Sequence, residues 1–220
     1  MSLTTSVNSI LGKMHKQSPT DKGTYGEEAV LAICEDIYQR QGGILIHSYS
    51  YKTVDGLAGN IKRHGNNLYV ENLGSFTEID VLLCTPYRVF PIEVKAYKAN
   101  SIYLSNSGIT GCAMNNKSPE HQNEMHCRHL YPHIYQSVPD GMVEYIIPIV
   151  VFVDEAKVAD QRTEDRKEYI KVTILNQFRQ LIESLNIPYN STLLDLGSIE
   201  VQLRKAMVSS EKFFPYAPRD

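Results

Sequence analysis

The chain has 220 residues, 42% of them hydrophobic and 21% charged, with a formal charge of −3 and a pI near 6.2. That balance suits one generous globular domain with a core that needs no disulfide or metal staple, and the charge alone does not advertise a nucleic-acid binder. No window approaches the ~18 apolar residues of a membrane span, and the N-terminus lacks the apolar run of a signal peptide, so no membrane role and a cytoplasmic location are expected. Cys34, Cys84, Cys112 and Cys127 form no CxxC pair. They read as free thiols of a reducing compartment, with Cys34 and Cys84 buried in apolar runs.

Residues 1–22 read as a polar lead-in. "GTYGEEAVLAICEDIYQRQGG" predicts a helix, with Val30, Ile33, Cys34 and Ile37 on one stripe and Gly42–Gly43 ending it. "ILIHSYSYK" alternates as a strand, "TVDGLAGNIKRHGNN" reads as a loop and "LYVENL" as a short strand. "EIDVLLCTPYRVFPIEVKAYK" reads as two apolar strands around Thr85-Pro86-Tyr87-Arg88. A further short strand is expected around Ile102 to Leu104. "SPEHQNEMHCRHLYPHIYQ" opens a helix with Ser118 as N-cap and Pro119 at the first helical position. "VEYIIPIVVFVD" reads as a buried strand, although Pro148 is ill suited to a central position. "YIKVTIL" is a strand or a helix entry, and "NQFRQLIESLN" and "SIEVQLRKAM" are helices. This order predicts one α/β domain, a mixed sheet with helices on both faces.

The hairpin carries charges that a dry core would reject. With Cys84 opposite Val89, Leu82 faces Pro91, Asp80 faces Glu93 and Glu78 faces Lys95, so the charges share one face. Ile79, Val81 and Leu83 oppose Phe90, Ile92 and Val94 on the other, and Pro91 could bulge that register by one residue. Two carboxylates this close raise each other's pKa unless a cation lies between them. Mg²⁺, which takes oxygen ligands from one or two carboxylates, waters and phosphate, is the economical cation. Lys95 beside it suits water activation or charge stabilisation, the layout of metal-assisted phosphodiester hydrolysis. Ordinary Glu78–Lys95 and Glu93–Lys95 ion pairs on a solvated sheet explain the same spacing.

"GTYGEE", "EID", "IEVK" and "SPEHQ", in that order over residues 23–153, resemble the nuclease-related domain (NERD) family of the PD-(D/E)XK nuclease-like superfamily. The resemblance implies a restriction-endonuclease-like core whose central mixed sheet carries the site on a β-hairpin. On it Asp80 and Glu93 match the metal-binding acids, Lys95 the catalytic lysine, Glu27 the acid contributed by the first helix and Gln122 the glutamine that begins the later helix. It further implies a Mg²⁺- or Mn²⁺-dependent nuclease acting on nucleic acid, foremost DNA. The organisation expected is an extension at 1–22, a nuclease core at 23–160 and a C-terminal helical extension at 161–220 on the same domain. The rival is a catalytically inactive nucleic-acid-binding or scaffold module of the same fold.

Other readings stand beside these. Thr24-x-x-Glu27 also fits a capping box, which would turn Glu27 back onto the helix start. His121, His126, Cys127, His129 and His133 crowd one helix; zinc binding is possible at i, i+4 spacing, but polar helix histidines are the simpler account. Lys62, Arg63 and His64 on their loop are candidates for backbone phosphate contacts.

Overall fold

A computed structural model describes residues 19–53, 60–64, 67–71, 76–97, 101–106, 108–110, 118–141, 143–153 and 157–216. The lead-in up to residue 18 and Cys112 lie outside them. Helix α1 (Pro19–Gln41) precedes strand β1 (Ile44–Lys52). A small hairpin, β2 (Asn60–His64) with β3 (Asn67–Glu71), stands apart from the main sheet. Then come β4 (Phe76–Cys84), β5 (Val89–Lys95), β6 (Ser101–Ser105), β7 (Gly108–Thr110) and helix α2 (Pro119–Ile134). The remainder comprises β8 (Ile149–Phe152), β9 (Lys157–Asp160), α3 (Glu164–Tyr169), β10 (Lys171–Ile174), α4 (Leu175–Leu185), α5 (Leu196–Ala206), β11 (Met207–Ser209) and β12 (Lys212–Phe214).

Seven strands form the central sheet in the order β10-β8-β5-β4-β1-β11, with β12 also paired to β1. The pairs β10–β8 and β8–β5 are parallel, while β5–β4, β4–β1 and both C-terminal pairings are antiparallel. This is the mixed α/β sheet expected of a restriction-endonuclease-like core. On one face α1 and α4 cover Leu45, Val81, Leu83, Phe90, Ile92 and Val94. On the other, α2 and α5 cover Ile44, Ile46, Leu82, Cys84 and Val89. Each fully buried Ile, Leu, Val or Phe stabilises by roughly 1.5–3 kcal/mol, so the two faces carry the fold. β6 lies in a second sheet, β7-β6-β9, under which Ile102 and Leu104 pack on Val150, Phe152 and Ile170.

Two glycines bring helix and strands close. A Cβ on Gly26 would stand 2.6 Å from Val153 Cγ2, so only glycine lets α1 settle this near the end of β8. Gly43, at φ +137°, comes so near Cys84 that an added Cβ would lie 2.2 Å from its carbonyl oxygen. Cys34, Cys84 and Cys127 are free and buried. Burial pushes all three thiols well above the ordinary thiol pKa.

Several local expectations change. α1 begins at Pro19, so Thr24 and Glu27 lie within it, where no orphan N–H awaits a cap; the capping-box reading of Glu27 is overturned. The basic stretch Asn60–His64 is a strand, not a loop: His64 pairs with Asn67, and the Gly-Asn between them is a two-residue hairpin signal. The C-terminal region ends in strands as well as helices, because the edge of β1 offers unpaired backbone groups to β11 and β12. Pro148 falls just outside β8, which removes its conflict with the ladder. No helix among the described residues is long and apolar enough to cross a membrane.

Candidate active site

The hairpin keeps its expected register where it is apolar. Cys84 pairs with Val89, Leu83 with Phe90, Leu82 with Pro91 and Val81 with Ile92, without a bulge. Pairing stops there, so the expected cross-strand pairs Asp80–Glu93 and Glu78–Lys95 do not form. On its other edge β5 stays paired to β8, Glu93 aligning with Val150 and Lys95 with Phe152. Asp80 follows the diverging strand: its Oδ2 accepts the Val94 N–H at 2.7 Å. Glu78 faces the other way across the sheet, accepting the Ser50 hydroxyl at 2.5 Å. The alternation also breaks at this level. Ser48 sits at φ 51° between the pairs His47–Val81 and Tyr49–Ile79, and beyond it Ile79 and Tyr49 pack under α2 and α5. Ile79 therefore leaves the face of Val81 and Leu83, contrary to strict period two.

The split end of the hairpin gathers charge from four elements. Glu93 is fully buried, and its Oε1 accepts the Lys95 ammonium. Its Oε2 lies 3.4 Å from His126 Nε2 on α2, and neither atom has an aligned hydrogen-bond partner. His126 is held in place: Nδ1 is 2.8 Å from Thr77 Oγ1 on β4, and its carbonyl accepts the Tyr51 hydroxyl at 2.5 Å. The tautomer with Thr77 donating to Nδ1 carries its ring proton on Nε2, toward Glu93. Burial first, then the Glu93 charge, pushes the Asp80 pKa up to about 7 against the pull of Lys95 and the Val94 N–H; Glu27 adds a smaller push. Asp80, Glu93 and Glu27 thus lie within electrostatic reach of one another.

Glu27 stands on α1 near the site's other flank. Its Oε2 is 3.8 Å from Nε2 of buried His47, an ion-pair distance rather than a hydrogen bond. His47 Nδ1 is 3.0 Å from Glu211 Oε2 on the bend before β12. Glu27 first, and Glu211 after it, hold the His47 pKa above its ordinary value against the opposing effect of burial.

Helix α2 is set on the sheet by its first turns. Ser118 caps it, accepting the His121 N–H, and Pro119 opens it, as the sequence predicts. Fully buried Asn123 donates to both Pro91 O (3.1 Å) and Ile149 O (2.9 Å), tying α2 to β5 and β8 where Pro91 leaves the ladder one N–H short. Arg162, forked onto Asp160 and bonded to Glu120 at 2.7 Å, anchors the helix start from the far side. Gln122 is half-buried on that first turn, one helical turn before His126 on the same face. Its side chain makes no hydrogen bond to Asp80, Glu93 or Lys95.

The histidines of α2 disperse. His121 lies 3.9 Å from Glu124, His126 faces Glu93, His133 meets Lys52 O, and His129 is fully buried. Among the described residues no three His, Cys, Asp or Glu side chains gather as a ligand set, so the zinc reading has no site. The simpler account, a helix with polar histidines, agrees with this arrangement, with His126 and His129 buried. Sequence reasoning missed His126, Thr77, His47 and Glu211. The spacing of four from Gln122 was the only available signal, and it concerns His126 alone. Side chains of Lys62, Arg63 and His64 lie outside what the structure describes.

A family model described as nuclease-related domain matches residues 22–153, 132 of the 220 residues. No curated protein and no solved structure matches the chain.

Proposed function

Because the chain belongs to the nuclease-related domain family, we propose that it is a Mg²⁺- or Mn²⁺-dependent nuclease that hydrolyses phosphodiester bonds in DNA. The observation that supports this best is the buried Glu93 carboxylate, whose Oε1 is paired to Lys95 and whose Oε2 has no aligned hydrogen-bond partner, beside an Asp80 whose pKa burial first and the Glu93 charge second push up to about 7. A buried carboxylate oxygen without a donor is costly unless something positive completes it.

Asp80 and Glu93 are the residues proposed to hold the ion; among the described residues Glu27 does not gather with them as a third ligand, so its contribution is proposed to pass through a water. Two carboxylates suffice for Mg²⁺, whose remaining positions waters and substrate phosphate oxygens fill. When bound, the ion supplies positive charge to the scissile phosphate and makes a water easier to deprotonate. The protein's own groups do the rest. Lys95, only partly buried (22% exposed) and steered by Glu93, orients the attacking water and balances charge building on a phosphate oxygen. His126, fixed by Thr77 and Tyr51, keeps the Glu93 carboxylate from turning away. Gln122, on the His126 face of α2, is proposed to orient the lysine, the water or a phosphate oxygen.

The test is incubation of the purified chain with linear, supercoiled and single-stranded DNA, and with RNA, in Mg²⁺ or Mn²⁺. Cleavage that chelation stops, and that Glu93→Ala and Lys95→Ala abolish, is expected. Every substrate left intact in both metals would overturn the proposal and leave the rival, a non-catalytic nucleic-acid-binding module.

A further inference from the structure

The family match ends at residue 153, yet a side chain some sixty residues later reaches toward the site. β12 pairs with β1 through Leu45–Phe214, Ile46–Phe213 and His47–Lys212, and the Glu211 N–H bonds to His47 O at 3.0 Å. This backbone clamp fixes Glu211 beside the His47 ring, with Oε2 at 3.0 Å from Nδ1. The opposite ring nitrogen looks at Glu27 Oε2 across 3.8 Å. The ring itself is buried and both nitrogens are sealed from solvent without an aligned hydrogen bond. An imidazole buried between two carboxylates on opposite edges is an attractive bridge between them, because each carboxylate favours the ring orientation that serves the other.

From this geometry we infer that Glu211 and His47 are positioning residues of the site: the C-terminal hairpin, through Glu211 and His47, fixes where the Glu27 carboxylate stands relative to Asp80 and Glu93. The inference rests on the metal-site reading above and extends it beyond the matched region. The packing supports it. Glu27 is about one-third exposed and, among the described residues, has no other ion pair to hold it. Without His47 its carboxylate would be free to hydrate, away from half-buried Asp80 and buried Glu93. Partners of this kind, one step removed from a metal ligand, typically set affinity by tenfold or more.

Mn²⁺ affinity, measured by calorimetry on the 220-residue chain, provides the test. Glu211 is 67% exposed, so Glu211→Gln removes the charge without disturbing the core. Its affinity is expected to fall roughly tenfold, with Glu211→Asp recovering most of it. His47→Gln is expected to weaken binding at least as much. The double variant should bind no more weakly than His47→Gln alone, because the two act in series. Unchanged affinity in Glu211→Gln, or losses that simply add in the double variant, would overturn the inference while leaving the metal site standing. A wild-type chain that binds no Mn²⁺ would overturn the metal site itself, and this inference with it.

Discussion

The two ends of the β4–β5 hairpin hide charge in opposite ways. At the turn, Arg88 is buried with Nε and Nη1 lacking acceptors, and its guanidinium lies over the rings of Tyr189 (4.9 Å) and Tyr145 (5.9 Å). Ring faces accept a cation without demanding a lone pair or leaving room for a ligand. Around it, the Thr85 hydroxyl donates to Asn186 Oδ1 at 2.6 Å and accepts the N–H groups of Arg88 and Tyr87. At the open end the buried charges are anions, and rings offer anions nothing. There burial and the Glu93 charge push the Asp80 pKa up to about 7, and Glu93 takes Lys95 on one oxygen only. One end is closed on itself; at the other, Glu93 Oε2 has only His126 Nε2 near it, at 3.4 Å and without an aligned hydrogen bond.

The largest expected effect separates the ends by function. Glu93→Gln should lower divalent-dependent DNA cleavage about a thousandfold, the scale of losing one preorganised electrostatic group. Its stability in urea should fall by no more than about 3 kcal/mol, since a buried pair is lost but the repulsion with Asp80 goes with it. Cleavage surviving at a tenth of the wild-type rate would erase the contrast.

Next comes pH. Asp80 has a folded pKa of about 7 against roughly 3.9 when unfolded, so between these values the folded chain holds the extra proton. Its contribution to stability is complete below about pH 4 and is lost as pH rises through 7. In chelator, the unfolding free energy from urea titrations should therefore fall from pH 5 to pH 8, by at most about 1.4 kcal/mol per pH unit. Asp80→Asn should flatten that slope, and saturating Mg²⁺ should restore stability at pH 8 by roughly 3 kcal/mol at a hundredfold excess over Kd. A wild-type slope identical to that of Asp80→Asn would place the burden on another group.

At the turn, Thr85→Val should cost about 2 kcal/mol, because it strands the Arg88 N–H and Asn186 Oδ1 in a buried place. Cleavage should not change. The smallest effect is expected from Arg88→Leu, within about 1 kcal/mol of wild type: the lost ring contacts are offset by removing two donors without acceptors. A loss several times larger would mean that the guanidinium has an anionic partner.

The sequence made the apolar parts of this architecture legible. Alternation and the Thr-Pro-Tyr-Arg turn give the register from Val81–Ile92 to Cys84–Val89. Ser118-Pro119 marks the start of α2, and the order of elements implies the mixed sheet. The expected register ends at Asp80, where the β4–β5 ladder stops and the Asp80 carboxylate takes the Val94 N–H, while β5 continues along β8 on its other edge. Ile79 lies on the opposite face from the one strict alternation predicts, because β4 changes sides between Val81 and Ile79 in step with β1, which reverses at the positive φ of Ser48, and serine carries no such signal. The approach of Asp80 to Glu93 was legible as repulsion; His126, Thr77, His47 and Glu211 were not, since each reaches the charges through tertiary packing. Nothing in a run of helix histidines says which one will face a carboxylate.

Gly26 ordinarily invites replacement, since alanine in a helix interior gains close to 1 kcal/mol of propensity. Here the extra methyl would overlap both branches of Val153, and α1 would have to lift or roll to admit it. Because Glu27 follows directly, any such roll would swing the acid along an arc away from the strand ends. A stabilised helix and a misaimed carboxylate would then arrive in the same substitution, which makes this glycine a poor target for thermostability engineering.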